Sequence, residues 1–102
     1  MIHVIATIET QPGKRAAFLQ EFHALMPLVH AETGCFEYGP AVDLATPIPV
    51  QVPLRPEVVT VVEKWADLAA LTAHLQAPHM LAYRDRVKDL VAGVKLQILQ
   101  PA

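Results

Sequence analysis

A single cysteine, Cys35, stands among 102 residues, which excludes an intrachain disulfide and a zinc cluster built from several thiolates. Nothing about it points to an oxidising compartment, and its expected place is that of a small buried core residue after Gly34. Charge is equally sparse. Eight basic and ten acidic residues, a formal net charge of -2, are scattered without runs, so there is no electrostatic footprint for a phosphate backbone and nucleic acid is not an expected partner. No Gly-rich phosphate loop is present, which argues against bound nucleotide, although a reduced flavin or quinone supplied by another protein would leave no mark in this chain. No apolar run reaches membrane-spanning length. The opening Met1-Ile2-His3-Val4-Ile5-Ala6 lacks the basic start and long apolar stretch of a signal peptide, so the expectation is a soluble cytoplasmic protein without membrane insertion.

What the chain does have is apolar surface. With 53% hydrophobic residues against 18% charged, a domain this small carries more than one subunit readily hides, and a homodimer is expected. Ile2 to Glu9 reads as a strand stopped by Thr10-Gln11-Pro12-Gly13, with Pro12 suited to the first turn of the following helix. Along that strand His3, Ile5, Thr7 and Glu9 point one way and Ile2, Val4, Ala6 and Ile8 the other. From Lys14, the helical spacing of Phe18, Phe22, Leu25 and Val29 predicts a long amphipathic helix, with Lys14, Arg15, Glu21 and Glu32 off its apolar stripe and Pro27 bending or loosening one turn. His23 and His30 flank the stripe as a border between core and solvent or a dimer edge. Gly34 is expected to end the helix in the left-handed position.

Cys35-Phe36-Glu37-Tyr38 begins a second strand that Gly39-Pro40 interrupts, and Ala45 to Pro56 holds Pro47, Pro49, Pro53 and Pro56, too many for a central strand. That segment is either a plain extended hairpin connection or a lid or arm over a partner subunit. Val58 to Lys64 predicts a third strand, apolar on both faces and so covered on both. Asp67 caps a helix over Leu68 to Leu75, Pro78 starts a second helical piece carrying Met80, Tyr83, Val87, Leu90 and Val91, Gly93 closes it, and Val94 to Leu99 alternates as a last strand. Strand, helix, strand, strand, helix, strand is the order of an α+β ferredoxin-like sandwich with an antiparallel sheet, here one domain over residues 1–102.

The same residues carry a resemblance. A strand, a Pro-Gly-Lys turn and a long helix, then Ala31-Glu32-x-Gly34-Cys35-x-x-Tyr38, Glu63-Lys64-Trp65 and Ala73-His74-Leu75-x-x-Pro78-His79, in that order, resemble the antibiotic biosynthesis monooxygenase family over nearly the whole chain. The resemblance implies a dimer in which two ferredoxin-like sheets meet as an α/β barrel, each subunit keeping a pocket between sheet and helices. Activities in the family include cofactor-free oxidation of polycyclic aromatics or quinols, haem degradation, and isomerisation of a small phosphorylated metabolite, so membership constrains the fold more tightly than the reaction. Haem-degrading members place an asparagine near Thr7, a tryptophan about where His74 stands and a ligating histidine near Arg84. None of the three matches here.

The candidate chemistry centres on His74 or His79 as a base, since histidine titrates near neutrality. The two are five apart across Pro78, unlike the i, i+4 pair of a helical metal site, and no carboxylate companion stands near them, Asp67 being used as a cap and Asp85 lying outward. The plain alternative for either histidine is a hydrogen bond to a backbone carbonyl at the helix junction. Tyr83 follows His79 by four and shares its helix face, so the two could hold one phenol oxygen between them, and Trp65 could stack on a flat ring; core packing is the plain alternative for both aromatics. Thr7, Glu63 and Arg84 are further candidates for substrate contact. Glu63 faces the same side of its strand as Trp65 and would need a partner such as Arg84 if that side is the pocket, while Arg84 either neutralises a substrate oxyanion or is an ordinary surface arginine. The expectation is a quinol or small aromatic diol oxidised by dioxygen without cofactor or metal. The alternatives are a quinone-binding protein without turnover and an isomerase of a small phosphorylated metabolite, for which Arg84 and Lys88 are the only nearby cations.

Overall fold

The computed structural model describes all 102 residues. The elements run β1 (Ile2–Thr10), α1 (Arg15–His30), β2 (Cys35–Ala41), β3 (Val58–Trp65), α2 (Leu68–Leu75), α3 (Pro78–Val87) and β4 (Val91–Leu99). The strands form one antiparallel sheet in the order β2-β3-β1-β4, the α+β ferredoxin-like topology expected. Alternation on β1 works as predicted, turning Val4, Ala6 and Ile8 into the core, and the register sets Val4 opposite Glu63, Ala6 opposite Val61 and Ile8 opposite Val59. The helices cover this face. Phe18, Phe22, Leu25 and Val29 on α1 lose all exposure against it, and Leu71, Met80, Tyr83 and Val87 join the same cluster from α2 and α3.

Several boundaries differ from expectation, each for a local reason. Pro12 precedes the helix instead of starting it; Gly13 takes a left-handed φ of 75° in that turn and α1 begins after Lys14. The helix continues through Pro27, whose missing N–H forfeits one bond, and ends at His30 with Ala31 as its C-cap, so Gly34 is not its terminator. Gly34 does adopt a left-handed φ of 82°, but in the turn leading into β2, where an added Cβ would meet the Ala70 side chain at 2.8 Å. This glycine therefore answers to close packing of α2 as much as to backbone conformation. Gly39-Pro40 does not interrupt β2, because β2 is an edge strand bonded only to β3 and a proline costs no ladder bond on the open side. Gly93 does not close α3, which ends at Val87; it lies inside β4 opposite Glu9, beside a shift of register at Glu9/Thr10. Cys35 is half-buried at the core margin, and burial raises its thiol pKa, contrary to what a nucleophile needs.

Residues 42–57 join two adjacent antiparallel strands, so the proline-rich segment is a long hairpin connection. Its base is clasped by Arg55, which donates from Nε to Asp43 Oδ2 and from Nη2 to Oδ1, both at 2.9 Å. Between the clasped ends, Leu44, Ile48, Val50, Val52 and Leu54 all face solvent. Thr60 and Val62 on the outward face of β3 are only half-buried, so the expected cover on both faces holds for the helix side alone within one chain.

Candidate active site

Between the inward face of the sheet and the helices lies a cavity of about 430 Å³, walled mainly by apolar side chains such as Phe18 and Phe22 of α1, Met80 of α3, and Ala6 and Val61 of the sheet. This is the size and character of a small-molecule site. A few polar groups interrupt the lining: Tyr38, Glu63, His74 and Tyr83 inside, Arg84 and Lys88 toward the surface.

Strand parity brings Glu63 inward. It shares a face with Val59, Val61 and Trp65, flanked by Val4 on β1 and Tyr38 on β2. Its partner is not Arg84 but its own strand neighbour: Trp65 Nε1–H donates to Glu63 Oε1 at 2.9 Å. Burial pushes the Glu63 carboxyl up to about 7, opposed by the indole N–H and reinforced by the charge of Glu32. Burial likewise raises both tyrosines well above the ordinary phenol range, so they stay protonated. Neither phenol is bonded within the protein, yet every fully inaccessible buried side-chain polar atom has a partner, so both hydroxyls remain reachable from the cavity they line.

His74 is set by α2. Asp67 caps that helix as predicted, Oδ1 accepting from the Ala70 N–H at 2.8 Å, and the inward side of this short helix carries Leu71 and His74. The imidazole packs on the Trp65 ring with centroids 4.5 Å apart and meets Tyr38 edge-on. Its Nδ1 lies 2.8 Å from Oε2 of Glu32, which the turn after α1 delivers across 42 residues of sequence. His79, the second residue of α3, places Nε2 at 2.7 Å from that same oxygen. Burial lowers the His74 pKa, and the hydrogen bond and charge of Glu32 oppose that fall. Its Nε2 makes no bond within the protein and, by the reasoning applied to the tyrosines, is the nitrogen that opens to the cavity. Both histidines thus have a carboxylate companion after all. The carboxylate sits between them as a hydrogen-bond acceptor, and no three His, Cys, Asp or Glu side chains converge as a metal cage.

Residues 1–86 match the profile of the family described as Antibiotic biosynthesis monooxygenase. The chain belongs to this family. The Escherichia coli K12 protein named "Probable quinol monooxygenase YgiN" is 43% identical over 103 residues, which span 99% of this chain and 98% of that one. Among solved structures, PA3566 from Pseudomonas aeruginosa is 29% identical with a TM-score of 0.81, covering 99% of this chain and 93% of its own. A conserved protein from Methanosarcina mazei Go1, at 22% identity and TM-score 0.83 over 99% of this chain and 92% of its own, shares the fold.

In this antibiotic biosynthesis monooxygenase family member, His74, Tyr83, Glu63 and Arg84 come together around one cavity. Trp65 does not line it; fully buried, it packs behind Glu63 and His74. His79 is not in the wall either, being 23% exposed on the far side of Glu32, so it and Tyr83 do not hold a common ligand oxygen. Thr7 lies on the other face of the sheet, between Thr60 and Lys95, away from the cavity. Arg84 is exposed and donates from Nη2 to the Leu75 carbonyl at 2.6 Å, closing the end of α2 as well as edging the cavity. Two residues were not anticipated as site residues. Tyr38 and Glu32 both lie in the Ala31-to-Tyr38 motif, the one signal that could have raised them, whereas helical spacing marked Glu32 as a solvent residue. No helix is long and apolar enough to cross a membrane.

Proposed function

We propose that this family member is a quinol monooxygenase that uses dioxygen and no resident cofactor. One observation carries the reading: His74, whose Nε2 makes no bond within the protein, lines an otherwise apolar cavity beside the protonated phenols of Tyr38 and Tyr83. The curated relative named a probable quinol monooxygenase supports the substrate class. A quinol hydroxyl placed at His74 gives its proton to Nε2. The quinolate left behind is electron-rich enough to pass one electron to dioxygen, and Tyr83 or Tyr38 donates a hydrogen bond to its oxygen. Recombination forms a carbon–oxygen bond to a ring hydroperoxide, and cleavage of the O–O bond with loss of water leaves a hydroxyquinone. One oxygen atom stays in the product, the other leaves as water, and the quinol supplies both electrons. Glu63, with its carboxyl at about 7, is partly protonated at neutral pH and provides a donor for the second quinol oxygen. Apolar walls exclude water, which protects the anion and the hydroperoxide.

The same reading includes a cytoplasmic homodimer. The half-buried outward sheet face, the exposed Val94, Leu96 and Ile98 of β4, and the apolar loop over residues 42–57 together leave more apolar surface than a monomer usually shows, and a second copy would cover it. In that dimer the loop is an arm on the partner subunit. The isomerase alternative draws less support, because Arg84 is engaged by the Leu75 carbonyl and Lys88 by Asp85.

Turnover of menadiol and benzoquinols under ¹⁸O₂ tests the reaction. The expected product is a hydroxyquinone carrying one labelled oxygen, with the second label in water, and His74→Ala abolishes it. Saturable quinone binding with no enzyme-dependent oxygen uptake would leave a binding protein. Unlabelled quinone with labelled hydrogen peroxide would make the chain an oxidase.

A further inference from the structure

The reaction outlined above leaves one half-hidden acid without a role. Glu32 is only 13% exposed at its side chain, and a single oxygen of it, Oε2, meets two imidazoles, at 2.8 Å from His74 Nδ1 and 2.7 Å from His79 Nε2. It comes from a turn of its own, held by the left-handed Gly34 that α2 packs against. A purely structural tie between that turn and the helices needs no charge; a backbone carbonyl or an amide would serve.

The charge has a use because of where His74 sits. Its ring is buried on Trp65, so taking up a proton costs solvation. Arg84 of α3, at the cavity edge, adds repulsion, and His79 would add more if protonated. On β3, Glu63 is bonded to Trp65, and on β2 Tyr38 is a neutral phenol. The one anion in hydrogen-bond contact with the imidazole is Glu32.

We propose that Glu32 is the positioning residue of the base: its carboxylate holds His74 as the Nδ1–H tautomer, keeping Nε2 free toward the cavity, and stabilises the imidazolium formed when Nε2 takes the substrate proton, while His79 braces Glu32 from the solvent side. This rests on His74 being the base. In the proton step the substrate O–H bond breaks and an Nε2–H bond forms. The Nδ1–H stays bonded to the carboxylate, so a neutral imidazole beside an anion becomes an ion pair, and the Nε2 proton later goes to the departing water oxygen. The logic is that of a buried carboxylate behind a catalytic histidine. It assigns different work to the two histidines that the sequence presents as equivalent.

Two measurements on the full chain test it. In ¹⁵N-histidine-labelled protein without substrate, NMR is expected to show neutral His74 protonated at Nδ1, and Glu32→Gln to move its titration to lower pH by about one unit or more, because the carboxylate favours the cation. Steady-state turnover of menadiol is expected to fall between about 10²- and 10⁴-fold in kcat for Glu32→Gln, with the acid limb of the pH profile moving down in step. Menadione binding should stay within about twofold, and Glu32→Asp should recover part of the rate. His79→Gln is expected to cost less than Glu32→Gln, since it removes the brace and leaves the anion. An Nε2–H tautomer in the wild type, or a His74 titration unmoved in folded Glu32→Gln, would overturn the proposal whatever the activity. A wild type inert toward every quinol but showing the NMR behaviour would remove the quinol reading and keep the Glu32–His74 pair. A Glu32→Gln protein that fails to fold moves the decision to Glu32→Asp and to the wild-type tautomer, which remain readable.

Discussion

The two ends of the sheet carry the same inward alternation and finish it differently. At the β2–β3 end, Tyr38, Glu63 and Trp65 are sealed beneath α1 and α2, each at 6% exposure or less. At the β4 end, Val94, Leu96 and Ile98 occupy equivalent inward positions, paired with Ile8, Ala6 and Val4, yet are 57%, 46% and 50% exposed because the helices concentrate their packing on the β2–β3 end. The cavity lies at the boundary between these regimes, with its polar groups from the sealed end and Val94 and Leu96 from the open one. A site that must hold a base in fixed geometry and also admit a ligand benefits from this division: the sealed end supplies orientation, the open end supplies access and, in the proposed dimer, a second copy to finish the wall.

Breaking each end in turn gives the largest contrast. Leu25→Ala removes a fully buried side chain from the α1 face and is expected to destabilise folding by about 2–5 kcal/mol, read from chemical denaturation. Ile98→Asp, at the open end, is expected to separate the proposed dimer in sedimentation analysis while the far-ultraviolet circular dichroism of the protomer persists. If instead the protein stays dimeric and Leu25→Ala is tolerated, the open strand is ordinary surface and the sealed end is not the structural core.

A smaller effect distinguishes the two ends by pH. Glu63 has its pKa raised from 4.5 to about 7, so between those values the native state binds more protons than the unfolded chain, and stability falls as pH rises through that window. His74 works in the other sense. Its pKa is lowered from 6.5, so the unfolded chain binds the extra proton and stability falls as pH drops below 6.5. Both groups belong to the sealed end. Glu63→Gln keeps the shape and an acceptor for the indole N–H, and is expected to stabilise the protein by about 1–3 kcal/mol above pH 7 while leaving it unchanged near pH 4. A melting-temperature profile that keeps its fall between pH 4.5 and about 7 in Glu63→Gln would show that another group carries it.

The division also explains what could be read from the chain. The β1 and β3 alternation, the α1 stripe and the Asp67 cap are set by neighbours within a turn or two, so spacing alone located them. The places of Gly34 and Gly93 are not legible in the sequence, because a glycine serves equally a helix end, a turn packed against another element, or a position beside a bulge, and only the tertiary neighbours choose among these. Pro40 is illegible for a similar reason, since tolerance of proline depends on β2 lying at the edge. The two faces of β1 were correctly separated, but which one holds the cavity depends on the helices, and that consigned Thr7 to the wrong side. Glu32 was out of reach for the strongest reason. Its partners are 42 and 47 residues away, and nothing in the local spacing of a glutamate off the apolar stripe announces a buried imidazole.

The smallest expected effect lies farthest from the cavity, in the loop over residues 42–57. Arg55 donates to both oxygens of Asp43, and those bonds hold the carboxyl down at about 2, so the clasp stays ionised across the range in which the enzyme would work. The pair is exposed, and exposed pairs contribute little to global stability. Asp43→Asn is therefore expected to leave the melting temperature almost unchanged. The clasp nevertheless constrains two ends of a loop in which five large apolar side chains between Asp43 and Arg55 face solvent within one chain, and losing it frees them locally. Amide hydrogen exchange over residues 42–57 should accelerate in Asp43→Asn while β1 and β3 keep their protection. If the loop is an arm seated on the partner subunit, the acceleration appears only on dilution below the dimer dissociation constant. If it appears at every concentration, the loop is held by its own clasp alone, and the apolar side chains it displays are not what joins the two copies.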